Sequence, residues 1–153
     1  MSADAHVTET SVHAPSVALP VTARNIAVGA GWTMLIFVAV ISAVTGLLTG
    51  AVGYVFALFI SGFVTVVSTP VLGIPLSLLA SRLLRRVPTI AAHLTGQFLA
   101  GAIAATVVVS LYLWLDSSTI EGWSAVAVAA IVAIAGGSSM AGWLLAHRAQ
   151  PSA

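Results

Sequence analysis

His93 and Gln97 are the side chains of this 153-residue sequence best placed to do chemistry in an otherwise apolar setting. They stand four residues apart, so on a helix they share one face. An imidazole can move protons near neutral pH, and a primary amide can hold a polar solute by donating and accepting together. The competing reading is structural. His93 would lie a turn from the membrane surface and reach for headgroups, while Gln97 bonds a neighbouring helix for about 0.6 kcal/mol.

A second candidate is the stretch from Ser68 to Pro75, which holds Pro70, Gly73 and Pro75. Each proline removes an N–H and displaces the carbonyl four residues back, so Val66 and Val71 lose their regular partners. Interrupted helices line transporter sites near the bilayer midplane. Pro75 is seven residues from Arg82, about 10 Å from the boundary, and that depth favours a plain kink. A third candidate is Gly136–Gly142, with the hydroxyls of Ser138 and Ser139. Arg82, Arg85 and Arg86 are candidate contacts for anionic lipid headgroups, at about 1 kcal/mol per charge near the surface.

The remaining motifs of enzyme chemistry are missing from the sequence. It shows no nucleophile elbow, phosphate loop, HExxH motif or paired carboxylates, and it has no cysteine. Thiolate metal sites, disulfides and Cys nucleophiles are therefore excluded. No cofactor is expected. A net charge of +1 argues against nucleic acid, which needs a patch of cations.

The elements that carry these residues follow from composition. The chain is 59% hydrophobic and only 6% charged, with a mean hydropathy of +1.11. A soluble domain has about 25% charged residues, so lipid is the expected solvent. All five basic residues are Arg, which hints at a GC-rich bacterial genome. Residues 1–25 read as a disordered cytoplasmic tail without the basic start of a signal peptide. From Ile26 to Ser81 no residue is charged. At about 20 residues per crossing, that length holds two spans and a tight turn.

The expected fold is an all-α integral membrane protein within residues 26–148. It is a four-helix transmembrane bundle with spans at about 29–48, 53–79, 90–115 and 123–146. The first turn belongs in the glycine-dense stretch from Gly46 to Gly53, and residues 149–153 form a short tail. Arg24, Arg82, Arg85, Arg86 and Arg148 then share one side, opposite Asp116 and Glu121. Excess arginine marks the cytoplasmic face, which gives an N-in/C-in chain in the plasma (inner) membrane. Trp32, Tyr54, Tyr112, Trp114, Trp123 and Trp143 fall near span ends, where aromatic rings with a polar edge settle.

Small residues recur every four positions at Ala125, Ala129, Ala133, Gly137 and Ala141, and at Ala92, Gly96, Ala100 and Ala104. Such rows let helices approach closely, within one bundle or between chains. Gly46 and Gly50 form a GxxxG at a span end, weak as a dimerisation signal. A cavity, if present, is expected toward the cytoplasm between spans two, three and four. The functional expectation is a non-enzymatic accessory or regulatory interaction subunit. Its partners would be the lipid bilayer and a membrane protein or further copies of itself. A small homo-oligomeric permease or channel is the alternative, and an intramembrane enzyme ranks third.

Overall fold

In a computed structural model, the structure describes residues 23–115 and 125–149. The expectations for the N-terminal tail before residue 23, the loop at 116–124 with Asp116, Glu121 and Trp123, and residues 150–153 lie outside these. The described residues are almost entirely helical. Helix α1 spans Ala23–Ser68, followed by a π-helical turn at Thr69–Gly73 and helix α2 at Ile74–Leu83. Helices α3, Ile90–Leu115, and α4, Ala125–Arg148, complete the order.

Three helical stretches are long and apolar enough to cross a membrane: Arg24–Leu83, Ile90–Leu115 and Ala125–Arg148. The first has 60 residues. At 1.5 Å per residue a straight helix of that length would measure about 90 Å, three times the hydrocarbon thickness of a bilayer. It is not straight. Gly50 has φ 81° and ψ −170°, a conformation open essentially to glycine alone. A methyl group on Gly46 would stand 2.9 Å from Cβ of Tyr54, eight residues on. Positions eight apart in a continuous helix are about 12 Å apart along the axis, so α1 folds back at Gly50 into two limbs. The formal GxxxG of Gly46 and Gly50 is thereby used within the chain: Gly46 gives Tyr54 room, and Gly50 makes the reversal.

Close approaches set the remaining packing. On α4, Gly142 lies against the first limb of α1, where an added methyl would sit 2.7 Å from the Gly29 carbonyl oxygen and collide with Thr33. Gly101 on α3 faces the Ala135 carbonyl and Ser139 of α4, and Gly136 faces Phe98. Gly96 on α3 meets Leu84 and Ala80. These pairings run antiparallel. They bring the start of α1, the end of α2, the start of α3 and the end of α4 together, so Arg24, Arg82, Arg85, Arg86 and Arg148 gather at one end.

Two expectations are corrected here. The row Ala125, Ala129, Ala133, Gly137 and Ala141 does not pack against the chain's own helices: its first three members are exposed, and a methyl on Gly137 would meet nothing within 4 Å. The face that packs carries Gly136, Ser138, Gly142, Trp143 and Ala146. Trp143, although near the end of α4, is also not open to headgroups. It is 6% exposed, because the end of α4 is held between α1 and α3. Trp114, by contrast, is 79% exposed.

Candidate functional site

Gln97, His93, Ser77 and Ser81 collect near the arginine end, while Ser61, Thr65 and Ser42 are buried along the limbs of α1, Ser42 Oγ without a hydrogen-bond partner among the described residues. Gln97 of α3 is 2% exposed and reaches α2, where Ser77 Oγ donates to its Oε1 at 2.7 Å. Gln97 Nε2 donates to Ser81 Oγ at 3.2 Å and to the Ser77 carbonyl at 3.4 Å. Ser81 Oγ in turn donates to the Ser77 carbonyl at 2.9 Å. The amide thus spends both donors and an acceptor inside the bundle. Buried polar groups require such partners, since in hydrocarbon an unpaired one costs several kcal/mol.

His93, one turn before Gln97, is also 2% exposed. Its Nε2 lies 3.1 Å from the Val87 carbonyl oxygen in the α2–α3 connection, which requires Nε2 to carry the proton. Its ring stacks on Trp143, with centroids 5.7 Å apart and planes 6° apart. The opposite neighbour of that indole along α4 is His147, stacked at 5.2 Å and 5°. His93 therefore turns into the protein rather than out to headgroups, because the flat indole and the Val87 carbonyl offer it a partner on each side. His147 Nδ1 is buried without a hydrogen-bond partner among the described residues.

The two prolines act together through the π turn. The Ile74 N–H bonds the Thr69 carbonyl, an i→i+5 bond that widens the helix over one turn between Pro70 and Pro75. π-helical turns of this kind are frequent at functional sites. Pro70 and Pro75 are themselves exposed on the outer side, while Thr69 and Gly73 face inward onto a cavity.

That cavity has a volume of about 550 Å³ and is lined by both limbs of α1, the π turn, α2, α3 and α4. The first limb of α1 contributes Gly29, Thr33, Phe37 and Ile41, so the cavity is not confined to the three later spans. Of the candidates from the sequence, it brings together Gln97, Gly73 and Ser139. Ser138 is buried with its hydroxyl donated to the Ile134 carbonyl at 2.7 Å. Arg82, Arg85 and Arg86 are exposed at the end of α2 and do not line the cavity.

Sequence reasoning passed over Ser77, Ser81 and His147. The i, i+4 spacing of Ser77 and Ser81, opposite Gln97 across a short connection, was the available signal. Among the described residues no group of three or more His, Cys, Asp or Glu side chains could hold a metal ion. No family model, curated protein or solved structure matches the chain.

Proposed function

We propose that this chain crosses the bacterial plasma membrane four times, with both termini cytoplasmic, and serves as a non-enzymatic accessory subunit that docks a second membrane protein. The reversal at Gly50 supports counting the 60-residue stretch as two crossings. The gathering of all five arginines at one end supports a cytoplasmic assignment for that end.

The observation that carries the accessory role is the internal use of Gln97 and His93. Both bond to groups of their own bundle, which leaves neither side chain presented for turnover. Meanwhile the second limb of α1 keeps Val52, Phe59 and Phe63 exposed. Chemical cross-linking in native membranes, followed by identification of the linked proteins, tests the reading. One reproducible heterologous partner is expected. Self-links alone, together with solute flux in liposomes of the purified chain, would replace it with the alternative.

That alternative is a homo-oligomeric permease or channel, and the central cavity favours it. Its distinguishing result is flux that disappears on filling the cavity.

A further inference from the structure

The walls of the 550 Å³ cavity change character along their length. Toward the arginine end they present Thr69, Ser77, Gln97 and Ser139. Toward the Gly50 end they present mainly carbon, in Phe37, Ile41, Phe56, Ala104 and Val108, together with Tyr112 and with Ser61, whose hydroxyl is donated to the Ala57 carbonyl. The Ser77 hydroxyl donates to Gln97, and its oxygen keeps acceptor capacity for one more donor. Among the described residues, no Asp, Glu, Lys, Arg or His side chain lines the space. A charged group entering it would lose its hydration with no counter-ion, a cost that an uncharged head avoids. The volume falls within the roughly 300–1,000 Å³ of small-molecule pockets.

We propose that this cavity binds an uncharged single-chain amphiphile, its hydrogen-bonding head at Ser77 and Ser139 and its hydrocarbon chain directed toward Gly50 between the limbs of α1. The polar wall selects the head and the carbon wall the chain. The π turn at Thr69–Gly73 shapes the wall where the two regions meet. A bilayer phospholipid fits less well, since its charged head would have to reach arginines that stand outside the cavity. The site needs no partner protein, so it can fail or hold independently of the accessory role.

The test uses the full chain in phosphatidylethanolamine–phosphatidylglycerol nanodiscs and a monoacylglycerol carrying a diazirine midway along its acyl chain. Photolabelling is expected to saturate and to map to the peptides of Phe37, Ile41 and Phe56. At about ten times its half-competing concentration, unlabelled monoacylglycerol should reduce it about tenfold. The fatty acid carboxylate of equal length and added phosphatidylglycerol should compete far less. Ala104→Phe should lower labelling by a similar factor, while Phe59→Ala, on the outer face, should leave it unchanged. Unsaturable labelling centred on Phe59 and Phe63 would overturn the proposal. Equal competition by phosphatidylglycerol would also overturn it, identifying an ordinary bilayer lipid as the occupant. The competition series needs only the unmodified chain, so it decides the matter even if Ala104→Phe misfolds.

Discussion

The imidazole of His93 lies parallel to the indole of Trp143, and this one contact ties the start of α3 to the end of α4. With His147 stacked on the same indole, Trp143 joins residues of two helices in one aromatic column. The column takes Trp143 away from lipid although it lies near a helix end. In variants that keep a single tryptophan, brominated acyl chains should therefore quench Trp114 strongly and Trp143 weakly. Equal quenching of the two would contradict the buried position.

The reversal at Gly50 predicts a disulfide. With the Cβ positions of 46 and 54 standing 2.9 Å apart, a small parting of the limbs brings them to the roughly 3.5–4.5 Å that a disulfide needs, so Gly46→Cys combined with Tyr54→Cys should cross-link on mild oxidation. The chain has no cysteine of its own, so the background is clean. Adding Gly50→Val should lower the yield, because the backbone conformation at 50 costs a branched residue about 1–3 kcal/mol. A continuous helix would give no cross-link at all.

Gly137 and Gly142, both on α4, should respond to alanine in opposite ways. Gly142→Ala drives a methyl into the Gly29 carbonyl and Thr33, and overpacking of this kind costs about 1–3 kcal/mol. Gly137→Ala meets open space and gains helix propensity, with a stabilisation of up to about 1 kcal/mol. Unfolding in mixed micelles measures both. A larger loss at 137 than at 142 would mean that α4 presents the other face.

The hydrogen-bond network of Gln97 should be asymmetric. Gln97→Leu leaves Ser81 bonded to the Ser77 carbonyl, so the loss should be near the roughly 0.6 kcal/mol average for interhelical bonds and no more than about 1.7 kcal/mol. Ser77→Ala with Ser81→Ala instead leaves the buried amide only its long bond to the Ser77 carbonyl and should cost more, about 1–3 kcal/mol. Equilibrium unfolding of the two variants decides the order.

What the sequence made legible was governed by length, charge and backbone chemistry. A helical stretch of 60 residues, uncharged from Ile26 to Ser81, must be interrupted, and the dense glycines from Gly46 to Gly53 marked the region where it is. Gln97 was recognisable as a polar group needing a partner. The inward faces were not legible. In water, polarity separates the inside of a helix from its outside, but here α3 and α4 are apolar nearly all round, so periodicity carries no such label. Only steric fit distinguishes Gly136 and Gly142 from Ala129 and Ala133. Fit depends on the neighbouring helix, which no single stretch of sequence reveals. Trp143 shows the same ambiguity, since its place near a helix end suits a headgroup-level ring as well as a buried one.

The residues that flank Gly50 are Leu47, Leu48, Thr49, Ala51 and Val52, with no charged side chain among them, and the Thr49 hydroxyl is donated to the Thr45 carbonyl at 2.7 Å. A bend with no charged side chain, and with its one hydroxyl bonded back to its own helix, offers a recognising partner little besides carbon.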